Sequence, residues 1–134
     1  MDVSNFILTG CRQGILTVSR WTNQDLQPEL KIETKSPINC VKIHNYYAIS
    51  GHQDGSTRVY NSTTGTELSR YQLPRNLQVD FITISKRANK MVIFGHNHFQ
   101  VVDLKDGKLK FESDISARAA EISAVDSGNY FERL

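Results

Sequence analysis

The residues best suited to chemistry are the four histidines, three of which follow short apolar runs. His96 and His98 flank a single asparagine, and together with His52 they could supply imidazole ligands to a metal ion. However, His52 and His96 each follow a glycine that closes an apolar run, and no carboxylate or thiolate has a spacing that would complete a site. We therefore predict that these side chains lie at hairpin tips, that His44 is structural, and that the protein binds no metal or other cofactor.

Asp54 and Asp80 are the pair of carboxylates that could carry out general acid–base catalysis, which needs two groups with different pKa values. Asp54 stands between Gln53 and Gly55, where an aspartate is typical of a tight turn. The chain contains no G-x-S-x-G, Walker-type or G-x-G-x-x-G sequence. We predict no catalytic residues and expect that the protein is not an enzyme.

Composition and charge exclude several classes of protein. The longest clean apolar run of the 134 residues, at 91–94, is far shorter than a membrane-spanning helix, and no secretory signal is visible. The 16 basic and 14 acidic residues are interspersed, and the most basic segment, 86–90, is read as a solvated turn, so nucleic acid is not an expected partner. Cys11 and Cys40 are 29 residues apart and form no CxxC pair. Reduced thiols in an intracellular protein, cytoplasmic or nuclear, are therefore expected.

The chain contains an internal repeat. Gly10, Gly51 and Gly95 each close a short apolar run, and they are separated by 41 and 44 residues. A second marker, Ile38-Asn39-Cys40-Val41, recurs 84 residues later as Ile122-Ser123-Ala124-Val125. A period near 42 residues with several short strands is typical of the blades of a β-propeller.

Within each period, apolar and β-branched runs alternate with clusters of turn residues, which predicts strands joined by tight connections. The first sheet is expected to have three strands, at 6–9, 15–20 and 29–33. The second is expected to have four, at 38–43, 47–51, 56–60 and 67–72. The third is also expected to have four, at 78–84, 91–95, 99–103 and 109–113.

The segment Ser50-Gly51-His52-Gln53-Asp54-Gly55-Ser56-Thr57-Arg58-Val59-Tyr60-Asn61 resembles the core of a WD40 repeat, with its S-G, its D-G turn and a strand ending in an aromatic and a polar residue. Thr64-Gly65-Thr66-Glu67 is similar to the turn that follows in that family, whereas Val102-Asp103 replaces the W-D dipeptide in the next repeat. The resemblance implies structural roles for Ser50, Gly51, Asp54, Gly55 and Tyr60. Because no Gly-His dipeptide opens a repeat, only Ser50, Asp54 and Tyr60 are expected to form part of the family's hydrogen-bond network.

We predict one all-β domain, 1–134, forming a partial, WD40-like β-propeller of about three four-stranded antiparallel blades. The blades are placed at 6–34, 37–74 and 77–115, with the start of a further blade at 119–134. Propellers usually have about 4 to 8 blades, which leaves three alternatives. The chain is part of a longer propeller, or another protein supplies the other blades, or two copies pair through a strand near 122–125 that closes the partner's first blade. Material from outside the chain is the favoured interpretation, and the symmetric pair comes last because nothing in the sequence demands it.

Loops on a rigid scaffold are the usual place for binding. In WD40-like propellers, the resemblance implies that partners dock on the face built by the hairpins between second and third strands and by the links between blades. The corresponding residues, with Ser36 and Asn76 beside them, are Arg12, Gln13, Lys35, His52, Gln53, Arg75, His96, Asn97 and His98. Their mixed polar character predicts a non-catalytic protein-interaction scaffold whose partners are other proteins. A structural subunit of a large assembly is the second alternative, and a propeller enzyme is the third.

Overall fold

The computed structural model describes residues 6–22 and 25–114. In this part of the chain, eleven strands form three separate antiparallel sheets, and no residue is helical. The expected all-β fold class is therefore confirmed. A search of the same residues for a helix long and apolar enough to span a membrane finds none.

The first sheet consists of β1 (Phe6–Gly10), β2 (Ile15–Thr22) and β3 (Asp25–Glu33), in that order. All three strands were expected, but β2 and β3 extend further toward each other than their apolar runs indicate. A bulge in β3 at Glu29 shifts the register by one residue, and the pairing then continues past Pro28 to Thr22 opposite Asp25.

The second sheet consists of β4 (Ile38–His44), β5 (Tyr47–His52), β6 (Ser56–Asn61) and β7 (Glu67–Gln72), again in chain order. The predicted strand bounds are confirmed to within one residue. The β5–β6 hairpin turns at Gly55, whose φ of 87° is in the left-handed region that favours glycine.

The third sheet consists of β8 (Phe81–Ser85), β9 (Lys90–Gly95), β10 (His98–Asp103) and β11 (Lys108–Asp114). The prediction that its first strand begins at 78 is wrong, because that part of the chain belongs to the link from the second sheet. The backbone N–H of Val79 donates to the carbonyl of His52, 3.1 Å away in the second sheet, so this residue is held outside the third sheet's own ladder.

The three sheets pack face to face in chain order. Between the first and second sheets lies a cluster that includes Leu16, Val18 and Ile38. Between the second and third sheets lies a larger cluster that includes Ile49 and Ile93. The two faces of the second sheet are thus both covered, because β5 sends Ala48 to one cluster and Ile49 to the other.

The glycines of the repeat are explained by this packing. A Cβ atom on Gly51 would lie 2.5 Å from Cγ1 of Val79 and 2.6 Å from Sγ of Cys40, closer than atoms can approach without a shift. A Cβ on Gly10 would lie 2.8 Å from side-chain atoms of Ile38 and Val41. Each glycine therefore marks a point where a neighbouring element packs directly against the strand backbone.

The predicted start of a further blade at 119–134, with its strand marker at 122–125, lies outside the described residues.

Candidate functional site

Three hairpins and two links lie at the same end of the stacked sheets. Backbone hydrogen bonds join the links to the hairpins: Gln53 N–H donates to the Pro37 carbonyl at 3.0 Å, and Leu73 N–H donates to the Gly55 carbonyl at 2.9 Å. We call this end the upper edge, and it comprises residues 11–14, 34–37, 53–55, 73–80 and 96–97. The resemblance to WD40 propellers led us to expect these loops on one face, and the structure brings them together.

Most of the side chains predicted for this edge are exposed. They are Arg12, Gln13, Lys35, Gln53, Arg75, Asn76, His96 and Asn97. Their chemistry combines guanidinium and ammonium donors with amides and one imidazole, which can both donate and accept hydrogen bonds.

Two of these loops hold a cationic residue in an uncommon backbone conformation. Lys35 and Arg75 have φ values of 62° and 59°, and each stands in a link between sheets. The left-handed region is unfavourable for residues with a side chain, so it persists only where surrounding contacts fix the loop. The two links therefore present their charged side chains from constrained positions.

The expectation that His52 lies at an exposed hairpin tip is wrong. Its side chain has an exposed fraction of 0%, because β5 continues through it and the 34–37 link covers it. Its Nδ1 lies 3.0 Å from the Ser36 carbonyl, and its Nε2 lies 2.7 Å from Oγ of Ser50. Burial, reinforced by the nearby Arg58 guanidinium, lowers the pKa of His52 below its ordinary value. The neutral imidazole thus donates from Nδ1 to Ser36 and accepts at Nε2 from the Ser50 hydroxyl.

A second hydrogen-bonded chain begins at Asp54 in the β5–β6 turn. One carboxylate oxygen accepts from the N–H of Ser56 at 2.9 Å and from its hydroxyl at 2.6 Å. The other oxygen pairs with Nη2 of Arg58 at 3.2 Å, and Nη1 of Arg58 donates to the Thr34 carbonyl at 2.6 Å. Burial raises the pKa of Asp54, but the Ser56 hydrogen bonds and Arg58 outweigh it and bring the pKa to about 2. Asp54 is therefore a permanent carboxylate at neutral pH, a poor choice for general acid–base work.

Both chains end on the link between the first two sheets. His52 reaches Ser36, and Arg58 reaches Thr34, whose own hydroxyl donates to the Gly14 carbonyl in the β1–β2 hairpin at 2.7 Å. The network expected from Ser50, Asp54 and Tyr60 is thus only partly formed, because Tyr60 packs in the apolar cluster between the first two sheets. We call the residues Thr34, Ser36, Ser50, His52, Asp54, Ser56 and Arg58 the polar network.

Sequence reasoning missed Thr34, Ser56 and Arg58. The available signal was the alternation in Ser56-Thr57-Arg58-Val59-Tyr60, which places Ser56 and Arg58 on the same face of one strand. Polar residues in a strand whose faces are both covered must find partners there, because an unpaired buried polar group is costly.

The expectation that His98 lies at an exposed tip is also wrong. His98 is the first residue of β10 and is buried, with Nδ1 2.9 Å from the Asp114 carboxylate and Nε2 3.0 Å from the Glu112 carboxylate. Arg75 reaches the same Asp114 oxygen at 2.7 Å. The hydrogen bond from His98, together with Arg75, lowers the pKa of Asp114. This cluster fastens the outer strand β11 to the 73–80 link at the upper edge.

No group of three or more histidine, cysteine or acidic side chains within 6–22 and 25–114 is arranged to hold a metal ion. The histidines that suggested ligands are used otherwise: His52 and His98 are hydrogen-bonded within the fold, and His96 is exposed beside Asn97. Cys11 and Cys40 are both free thiols, and burial raises the pKa of Cys40 to about 11.

Comparisons with known proteins found no match. No protein-family model matches the chain, and no curated protein matches it.

Proposed function

We propose that this protein is a protein-interaction scaffold built on an incomplete WD40-like β-propeller. Three observations support the propeller architecture. The sheets are successive up-and-down antiparallel units, they pack face to face in chain order, and β4 packs against β8 so that the first strands of the second and third sheets are neighbours. The same arrangement, repeated around an axis, is what distinguishes propeller blades from a sandwich of two sheets.

The binding surface is the upper edge. The observation that carries the proposal is that exposed polar side chains at this edge stand directly beside residues that are buried and hydrogen-bonded. The exposed Lys35 lies between Thr34 and Ser36, and both neighbours bond to the polar network. Gln53 follows the buried His52 and donates its N–H to the Pro37 carbonyl. Loops held in this way lose little additional backbone freedom on binding, which favours specific recognition.

The side chains of the upper edge indicate the kind of partner. Hydrogen-bond donors and acceptors lie there beside the cations Arg12 and Lys35, and the charged side chains form no extended stripe of one sign. This suits a polar protein surface, in which amide and carboxylate groups are interspersed, better than the uniformly anionic backbone of a nucleic acid.

The proposal is tested by recovering partners with the full chain and comparing variants at the two ends of the sheets. Replacing Lys35 and Gln53 together by alanine is expected to abolish recovery of a specific partner, since both lie on the upper edge. The matched control replaces Lys105 and Thr64, which are exposed in turns at the opposite end, and should leave recovery unchanged. Loss of the partner in the control but not in the upper-edge variant would overturn the proposed surface.

A structural subunit of a larger assembly is the second candidate, favoured by the outer faces of the first and third sheets. Trp21 of β2 is 54% exposed, and Phe81 of β8 and Phe111 of β11 are 46% and 51% exposed. Large apolar side chains at both ends of the stack are typical of surfaces that pack against further sheets.

A further inference from the structure

Two turns of the third sheet, at the end opposite the upper edge, have a net positive charge larger than that of the whole chain. They are the β8–β9 turn and the β10–β11 turn, which with their flanking residues span 86–90 and 103–110. These segments, which we call the basic patch, contain six basic and two acidic residues, a net charge of +4, whereas the whole chain has +2. The rest of the described chain has eight basic and eight acidic residues, so the positive charge is confined to this end of the third sheet.

The fold brings the two segments of the basic patch together. Lys90 lies opposite Asp103 in the β9–β10 ladder, and the Leu104 N–H donates to the Asn89 carbonyl at 2.9 Å. The basic segment 86–90 is thus not an isolated turn, because the second basic turn lies beside it. The two hairpins are two strand spacings apart, or ~10 Å, which about three residues of an extended peptide span. A partner with several acidic residues in a row can therefore contact both turns.

The positive charge of the basic patch is only partly neutralised. Its two acidic residues are bonded within the patch: Asp103 pairs with Nζ of Lys90 at 3.2 Å, and Asp106 pairs with Nζ of Lys110 at 2.7 Å. No acidic side chain of the described residues pairs with three further exposed lysines, Lys86, Lys105 and Lys108. The residues outside the described ranges include four acidic and two basic ones, too few to neutralise a net charge of +4.

A groove lies beside the β10–β11 turn, between the second and third sheets. Its volume of about 350 Å³ is within the range of ligand sites, about 300–1,000 Å³. The buried side chains of Val59 and Leu104 line it, together with Leu68 of β7, which is 50% exposed. Lys105 of the basic patch lines the same groove. An apolar site and a surplus of positive charge therefore adjoin each other.

The chemistry of the groove favours a peptide side chain over a nucleobase. The Tyr71 hydroxyl donates to the Gly107 carbonyl at 2.6 Å and lies 3.2 Å from the Ser69 hydroxyl, so these polar groups are used within the fold. A nucleobase buried beside them would leave polar atoms of its edges unpaired, which costs free energy. A large apolar side chain needs no hydrogen bond and gains free energy from leaving water.

We propose that the groove and the basic patch together bind an acidic peptide segment of another protein. One large apolar side chain of the segment enters the groove, and carboxylates on either side of it contact the lysines of the two turns. The apolar side chain supplies most of the affinity, whereas the charges speed association and fix the register. This site goes beyond the proposed function, because it adds a second binding surface at the opposite end of the sheets from the upper edge.

Fluorescence anisotropy with the full chain tests the proposal. The probe is a fluorescein-labelled heptapeptide with leucine at its centre and glutamate or aspartate at every other position. We expect saturable binding at low ionic strength that weakens as salt is added, because salt screens the exposed charges. Replacing the central leucine by serine should weaken binding at least about tenfold, the scale of burying one large apolar side chain. No saturable binding, or equal affinity for the two peptides, would overturn the proposal.

Charge reversal of exposed lysines locates the site on the basic patch. Lys108→Glu should weaken binding of the leucine peptide at least about threefold, because an attractive contact becomes repulsive, and adding Lys86→Glu should weaken it further. The matched control is Lys31→Glu, which makes the same change at an exposed position of β3 in the first sheet. Equal effects of Lys108→Glu and Lys31→Glu would overturn the proposal.

The groove is tested with a second matched pair of variants. Leu68→Ser should weaken binding of the peptide at least about fivefold, because Leu68 lines the groove. Leu26→Ser, at a position of β3 that is 46% exposed, should leave the affinity unchanged. Equal effects of the two variants would overturn the proposal. So would tighter binding of a labelled oligothymidylate that is lost with Leu68→Ser, since the groove would then belong to nucleic acid.

The upper edge and the groove can fail separately. The variant with alanine in place of Lys35 and Gln53 should bind the peptide as the unaltered protein does, and loss of binding there would overturn the proposal. When partners are recovered with the full chain, one held in the groove is recognised because Leu68→Ser also loses it.

Discussion

Arg58 links the β5–β6 turn to the first sheet, and its removal should cost far more stability than removal of a surface arginine. Arg58 is 6% exposed and joins Asp54 to the Thr34 carbonyl. Replacing it by leucine leaves that buried carbonyl without its donor, which costs about 1–3 kcal/mol. The pairing with Asp54 adds less, because the Asp54 side chain is 48% exposed and water screens it. We expect the free energy of unfolding to fall by about 2–3 kcal/mol, within the range for a broken buried network.

Arg70 provides the matched control, because it lies directly opposite Arg58 in the β6–β7 ladder. Its guanidinium pairs with Glu67, and the two side chains are 49% and 34% exposed, so water screens the pair and Arg70→Leu should change the free energy of unfolding by less than about 1 kcal/mol. With a urea m-value of about 2 kcal/mol/M, Arg58→Leu should lower the unfolding midpoint by about 1–1.5 M. Equal shifts for the two variants would refute the conclusion that the polar network holds the link, and so would an unchanged rate of amide hydrogen exchange at Gln53.

Three further predictions follow from the same contacts. The pKa of His52 is lowered from 6.5, and that of Asp54 is lowered from 3.8 to about 2. In both cases the unfolded chain binds more protons than the folded protein. Stability should therefore be lost as the pH falls below 6.5, and again as it falls from 3.8 toward 2. Urea midpoints measured across this range check the prediction, and Asp54→Asn should reduce the more acidic part of the loss, to which Asp114 and Glu67, whose pKa values are also lowered, still contribute; an unchanged profile in that variant would contradict it. Gly51→Ala should destabilise the fold by about 1–3 kcal/mol, because the added methyl group overlaps Val79 and Cys40; an unchanged thermal midpoint would show that the second and third sheets can separate freely at this point. In a Cys11→Ser variant, the remaining thiol of Cys40, with its pKa of about 11, should react with a disulfide reagent at pH 8 much more slowly in the folded protein than in urea, whereas equal rates would mean that the thiol is accessible.

The strands could be predicted because their determinants are local. Alternating and β-branched runs fix where strands occur, and turn residues such as Gly55 and Gly65 fix where they end. The start of β8 was the exception: Val79 is as apolar as a strand residue, yet its hydrogen bond to His52 holds it in the link before the strand. Such a bond depends on the neighbouring sheet and has no local sequence signal.

The candidate site was predictable in position but not in composition. The repeat places 52–55 and 96–98 at hairpins, and exposed residues such as Gln53 and His96 are found at the upper edge. Whether a particular hairpin residue faces solvent depends on the loop that crosses it. The 34–37 link covers His52, and two carboxylates of β11 cover His98. Both histidines are therefore buried and hydrogen-bonded within the fold.

By itself, the sequence determined the all-β class, the period of the repeat and the glycines at which neighbouring elements approach each other, because strand propensity, turn chemistry and side-chain alternation act over a few residues. Only the tertiary structure decided which polar residues are buried and what they bind. Arg58 and Thr34 are 24 residues apart in the chain, and their hydrogen bond exists because the first and second sheets stack. A period of two assigns a residue to a face of a strand, but the packing of a second sheet decides whether that face meets water, an apolar cluster or a carbonyl that needs a donor.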